Sequence, residues 1–349
     1  MSDLSSQIRA LRQKFGTKLA ILGHHYQNDA ILAHCDVVGD SLELARKVPS
    51  IEADILVFCG VYFMGESAAL LTRPTQTVYT PDAHADCMMA LMASGCHVHN
   101  VLNQLQSITK VLPIAYVNTS LGLKAVVGAF GGAVCTSANA TTILAWALEQ
   151  SPTVLFLPDR HLARNTAKSL GLTEQDWRIL RLSGSSYADS EADIKGKRLL
   201  IWPGCCPVHA QMQVNDLESL RKQYPSIRIY VHPECDPCVV DQCDGAGSTS
   251  YLIKKTEEIA ATQTKPLLAI GTEEHLVNRL IKRFQNTCSI LPVRANMTCP
   301  DMQAITEEKL LETLQAIDQG VATPIQIAAA EQEPAKMALT RMLSVCSLK

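Results

Sequence analysis

The stretch Leu19-Ala-Ile-Leu-Gly23-His24-His25-Tyr26-Gln27 holds the fold in miniature. An aliphatic run too short for a helix ends on a glycine, and four polar side chains follow at once. The same pattern recurs down the chain: a short aliphatic or β-branched run, a polar or glycine-containing turn, then a helical stretch. Such runs predict strands at 19–23, 54–59 and 77–79, at 113–117, 133–136 and 153–157, and at 198–202, 227–231 and 267–270, with a further one at 289–293. Strands alternating with helices imply parallel sheets and an α/β class. Ahead of the first strand, Leu4, Ile8, Leu11 and Phe15 recur at helical spacing, and Gly16 is placed to end that helix.

The strands fall into three groups of about a hundred residues, which predicts three similar α/β units. Polar stretches at 101–106 and 188–196 suggest domains over 1–103, 104–190 and 191–320. A tail over 321–349 would follow, its Ala/Glu/Gln-rich segment 325–340 forming a surface helix.

Of 349 residues, 47% are hydrophobic and 19% charged, which excludes a disordered chain. The net charge of −3 lacks the basic footprint of a nucleic-acid binder. The opening residues carry charges and no apolar core of a secretory signal. The longest apolar run, 125–135, falls well short of the roughly 20 residues a membrane span needs. Thirteen cysteines, an odd number, argue against a disulfide framework. A cytoplasmic protein with reduced thiols, touching neither membrane nor nucleic acid, is the expectation.

Chemistry-bearing residues gather where strands hand over to helices: His24 to Gln27, Asp86-Cys87, Tyr116-Val-Asn118, Ser137, Asp159, Cys205-Cys206, His232-Pro-Glu234-Cys235 and Glu273-Glu274. In parallel sheets that edge binds ligands. By spacing alone, Cys235-x2-Cys238-x4-Cys243 is the foremost metal candidate, for zinc or an iron–sulfur cluster, although it lacks a second ligand pair. Cys87 and Cys299 stand isolated, and adjacent Cys205 and Cys206 diverge. Cys35, Cys59, Cys96, Cys135, Cys288 and Cys346 read as small buried hydrophobes. His97, His99, His161 and His275 fit surfaces or helix ends. Gly245-Ala-Gly-Ser248-Thr249-Ser250, ahead of a helix over 251–260, suits a phosphate or carboxylate as well as an ordinary cap. No GxGxxG or Walker sequence is present.

The ordered set His24-His-Tyr-Gln, Gly39-Asp-Ser-Leu-Glu-Leu-Ala, Asp86-Cys87, Tyr116-Val-Asn, Cys135-Thr-Ser-Ala-Asn-Ala, Trp202-Pro-Gly-Cys-Cys-Pro-Val-His209, His232-Pro-Glu-Cys, Gly247-Ser-Thr-Ser and Cys299-Pro-Asp-Met-Gln-Ala-Ile-Thr resembles the quinolinate synthase family. The resemblance runs from about residue 18 to residue 310. It implies three three-layer α/β/α domains with short parallel sheets about a pseudo-threefold axis, the active site at their junction. It implies condensation of iminosuccinate with dihydroxyacetone phosphate to quinolinate in NAD biosynthesis, with release of phosphate and water. The iminosuccinate would come from an L-aspartate oxidase or dehydrogenase.

A [4Fe–4S] cluster would be held by Cys87, Cys206 and Cys299, one from each group of strands and none from the close trio. Three thiolates leave one iron open as a Lewis acid. The resemblance places substrate on His24, Ser41, Tyr116, Asn118, Ser137, His232, Glu234, Ser248 and Thr249. By side-chain chemistry, Glu234 is then the general base, Tyr26 and Tyr116 transfer protons, and His232 orients substrate. The competing expectations are an iron–sulfur electron carrier built on Cys235, Cys238 and Cys243, and a cofactor-free α/β ligand-binding protein.

Overall fold

The computed structural model describes residues 3–262 and 265–347. Residues 1–2 of the first expected domain, 263–264 of the third and 348–349 of the tail lie outside the described residues. One compact unit gathers Met1–Cys87, Leu220–Tyr230 and Thr249–Ile327; the other gathers Met88–Ser219, Val231–Ser248 and Ala328–Lys349.

The fold is α/β, as expected. In the first unit a parallel sheet runs in the order Val37–Gly39, Leu19–His24, Ile55–Cys59, Thr77–Tyr79. The second unit holds a five-stranded parallel sheet, in the order Ala133–Cys135, Val111–Tyr116, Thr153–Leu157, Leu199–Ile201, Trp177–Ile179. A third sheet runs Gly245–Ala246, Arg228–Val231, Leu267–Gly271, Ser289–Pro292. All three begin alike, with the second strand outside the first and the third on the first strand's other side. Each repeats the fold-over that helical crossovers impose on parallel strands. Leu19–His24, Val111–Tyr116 and Thr153–Leu157 are buried along their whole length. Continuous apolar runs of this kind are the mark of strands with helices on both faces.

The N-terminal helix Asp3–Phe15 buries Ile8 and packs Leu4, Leu11 and Phe15 onto a core of Leu19, Ile21, Val57, Ile305, Leu310 and Leu314. Gly16 follows it at φ +56°, a conformation that glycine adopts without penalty. Helix Glu274–Phe284 turns Leu276, Val277 and Leu280 inward.

The structure corrects four expectations. Leu199–Ile201 belongs to the second sheet, beside Thr153–Leu157, and not with the third group of strands. Sequence order cannot reveal this, because the chain leaves the sheet after residue 157, adds the outer strand Trp177–Ile179, and returns between the two. Val37–Gly39, Trp177–Ile179 and Gly245–Ala246 are strands that the sequence did not predict. At two or three residues each, they are too short to show a period. The tail helix runs over Ala329–Ser347 and not from 325 to 340, and one of its faces, Ala335, Ala338, Leu339 and Met342, is buried. A Cβ on Gly128 would lie 1.8 Å from the carbonyl oxygen of Pro334, so the two backbones touch. Cys96 is exposed and not a buried hydrophobe. Among the described residues no helix is long and apolar enough to cross a membrane.

Candidate active site

In the second unit, strand ends deliver a buried acid–base cluster. His232 and Glu234 follow strand Arg228–Val231, Tyr116 ends strand Val111–Tyr116, and Cys206 and His209 follow Leu199–Ile201. His209 Nδ1 lies 2.6 Å from Glu234 Oε2 and 3.3 Å from Cys206 Sγ. Tyr116 donates its phenolic hydrogen to the same carboxylate. The imidazoles of His209 and His232 stack at 4.5 Å.

The backbone fixes the His232 tautomer. Glu234 N–H donates to His232 Nδ1 at 3.4 Å, so the ring proton sits on Nε2, which is 3.2 Å from Ser137 Oγ. Burial then drives the His232 pKa down to about 3, with His209 adding to the effect and Glu234 opposing it. Burial alone would raise the Glu234 carboxyl, yet His232, His209 and the Tyr116 hydroxyl hold it well below its usual range. Asp159, fully buried behind the cluster, is pushed up by burial and by the charge on Glu234. It accepts hydrogen bonds from the amides of Leu162 and Cys206. One negative charge thus settles on Glu234, and Asp159 holds the Cys206 loop.

The neighbouring loops present the remaining expected residues. Asn139 accepts the Thr136 amide at 2.6 Å and so folds the turn that carries Ser137. Lys124, fully buried, donates from Nζ to the carbonyl of Thr119 and steadies the Asn118 loop. The Oδ1 of Asn118 is buried with no hydrogen-bond partner. Gly247 N–H bonds the carbonyl of Val231, which brings Ser248 beside the strand end that carries His232.

The first unit holds a second polar group. His24 ends its strand, and the Tyr26 amide donates to His24 Nδ1 at 3.1 Å. This is the device used at His232, and it again leaves Nε2–H as the outward donor. Tyr26 Oη is 2.6 Å from Thr272 Oγ1. Ser41 opens helix Ser41–Lys47, capped by Asp40, and Ser250 Oγ donates to Asp40 at 2.8 Å. That bond ties the start of helix Thr249–Ala260 to the start of the Ser41 helix. Thr249 Oγ1 is buried without a partner. Cys299 caps the one-turn helix Pro300–Gln303, and burial raises its thiol to about 11. Cys87 lies half-buried just ahead of helix Met88–Leu91.

The close cysteine trio does not converge. Cys235 is buried against Met212, Cys238 is exposed, and Cys243 donates to the carbonyl of Val239. Among the described residues the one group that could hold a metal ion is Cys206, His209 and Glu234. His161 and His275 sit in the first turns of their helices, as expected. Sequence reading did not single out His209, Asp159 and Lys124 as site residues. Asp159 was marked only by its position after a strand, His209 only as the last residue of the Trp202–His209 motif, and Lys124, inside helix Leu121–Ala129, by nothing in the sequence.

The chain matches the family model described as NadA: Quinolinate synthetase A protein over residues 6–344. It is 39% identical to the quinolinate synthase of Bacillus subtilis, with 98% of this chain and 93% of the relative covered. Identity to the quinolinate synthase of Halalkalibacterium halodurans is 40%, over 98% of this chain and 93% of that protein. To the quinolinate synthase of Corynebacterium glutamicum it is 39%, covering 98% and 88% respectively. On this likeness over nearly its whole length, the chain belongs to the quinolinate synthase family and is an enzyme of NAD biosynthesis.

Proposed function

We propose that this enzyme condenses iminosuccinate with dihydroxyacetone phosphate to give quinolinate, one phosphate and water. It works in the cytoplasm, fed by an L-aspartate oxidase or dehydrogenase, with a [4Fe–4S] cluster on Cys87, Cys206 and Cys299. The observation that carries this reading is the chain of contacts from half-buried Cys206 through buried His209 to Glu234 and Tyr116. It sets a candidate iron ligand against an acid–base relay. The donor set fits such a group: all three are thiols, none is sunk in the core, and no disulfide consumes them. When bound, a cluster held by three thiolates supplies an open iron as a Lewis acid.

The chain's own residues supply binding and proton transfer. Glu234, held ionised by hydrogen bonds from His209 and Tyr116, is the general base. His232, neutral, directs its Nε2–H toward Ser137 and orients substrate. Tyr116, hydrogen-bonded to Glu234, and Tyr26 pass protons. Unpartnered Thr249 Oγ1 at the start of a twelve-residue helix suits a phosphate or carboxylate, since that end carries free N–H groups and partial positive charge. His24, Ser41, Ser137 and Ser248 are further donors suited to carboxylate or phosphate oxygens. Asn118 offers an unpaired buried carbonyl to a substrate donor.

The test is anaerobic purification followed by assay with iminosuccinate generated in place by an L-aspartate oxidase. A brown protein with about four irons per chain that forms quinolinate is expected. A colourless, iron-free protein, or one that makes no quinolinate from these two substrates, would overturn the proposal.

A further inference from the structure

The turn that carries His24 and Tyr26 is fastened by two residues that touch neither candidate substrate group. Arg279, on helix Glu274–Phe284, donates from Nη1 to the carbonyl of His25 at 2.8 Å and from Nη2 to that of Gln27 at 2.5 Å. Its Nε donates to Asp29 at 2.7 Å. A planar guanidinium is suited to this, because its donors are fixed relative to one another. Gln27 is fully buried. Its Nε2 donates to the carbonyl of Met302 at 3.2 Å and lies 3.3 Å from the Met302 sulfur. Met302 is the third residue of helix Pro300–Gln303, whose cap is Cys299. A third link joins the helix carrying Arg279 to the same segment, where Glu274 N–H bonds the carbonyl of Met297 at 2.8 Å. A buried amide spent on a backbone carbonyl across 275 residues of sequence is costly to lose, since that carbonyl would be left dry and unpaired.

We propose that Gln27 is a positioning residue that locks the Cys299 segment to the His24–Tyr26 turn, with Arg279 holding that turn from behind. This rests on the proposed function for the roles of Cys299, His24 and Tyr26, but the link between the two segments is testable without it. Outer contacts of this kind set where a ligand and a substrate group stand relative to each other, and their loss commonly lowers metal affinity or activity by about 10- to 100-fold.

The experiment compares the parent with Gln27→Met, which keeps length and bulk but removes the donor, and with Arg279→Gln. In the iron-free, reduced full-length chain, alkylation of Cys299 is followed by mass spectrometry, with Cys87 as internal reference. Gln27→Met should speed Cys299 labelling about tenfold relative to Cys87, and Arg279→Gln should do so less. In the iron-loaded enzyme, Gln27→Met should alter the electron paramagnetic resonance signal of the reduced cluster and lower kcat. Arg279→Gln should chiefly raise KM, and added guanidinium should partly reverse that in Arg279→Ala. Unchanged Cys299 labelling in a folded Gln27→Met overturns the inference, whatever the assay shows. So does a variant whose only change is a lower Tm. Faster Cys299 labelling in Gln27→Met, alongside a parent that binds no iron, would support the brace while refuting the proposed function.

Discussion

Two places in the second unit gather metal-loving side chains, and they behave oppositely. Cys235, Cys238 and Cys243 lie within nine residues of each other, yet one faces the core, one faces solvent and one is bonded back to the preceding helix. Cys206, His209 and Glu234 come from two separate strand ends and meet within 4.8 Å. Proximity along a chain constrains side-chain direction weakly, because a short helix such as Pro237–Val240 turns successive residues to different sides. Strand ends, by contrast, present their residues at the carboxyl edge of a sheet, and here the residues after Leu199–Ile201 of the second sheet meet those after Arg228–Val231 of the third, however far apart they are in sequence.

That contrast can be broken experimentally. Cys206→Ala should abolish iron incorporation and quinolinate formation, whereas Cys238→Ala should leave iron content and turnover within error. Iron analysis of the two purified variants decides between them, and reversed results would return the trio to first place. Glu234→Gln, which keeps shape but removes the base, should lower kcat by about 10²–10⁴-fold with the iron retained; steady-state kinetics on the loaded enzyme reads this.

Cys235→Ser should act on stability alone. A hydroxyl placed where the thiol meets Met212, with no partner, costs about 1–3 kcal/mol, visible as a lower denaturation midpoint at unchanged iron content. A further effect concerns pH. Burial, with help from Arg160, lowers His161 to about 4 against opposition from Asp236. The unfolded chain therefore binds a proton below about pH 6.5 that the folded chain refuses until about pH 4. Stability should fall across that window on acidification, by up to about 1.4 kcal/mol per pH unit, and His161→Phe should flatten the slope. A variant with the parent's slope would place the acid sensitivity elsewhere.

Legibility followed the same division. The buried strands Leu19–His24 and Thr153–Leu157 were readable because unbroken aliphatic runs of that length have few other uses. Val37–Gly39 and Gly245–Ala246 were not, since pairing partners rather than composition make them strands. The tail helix was readable from its Ala, Glu and Gln content, but its buried face was not. Its buried period, Ala335, Ala338, Leu339 and Met342, matters more, and the missing side chain of Gly128 lets the helix backbone settle against it at Pro334. Of the candidate site, His232, Glu234, Tyr116 and Ser137 were expected and do meet. His209, which joins Cys206 to Glu234, was legible only as the end of a motif, and Asp159, which holds the Cys206 amide, only as a polar residue after a strand.

The sequence by itself determined the α/β class, the strand-then-polar-turn rhythm, and the family, whose ordered motifs span the chain. These depend on local periodicity and residue identity, which folding does not alter. Only the tertiary structure decided that Leu199–Ile201 joins the second sheet, that the close trio of cysteines diverges, and that His209 links a thiol to a buried carboxylate. Those outcomes depend on which strands pair and which way each side chain leaves its strand end, and contacts distant in sequence fix both.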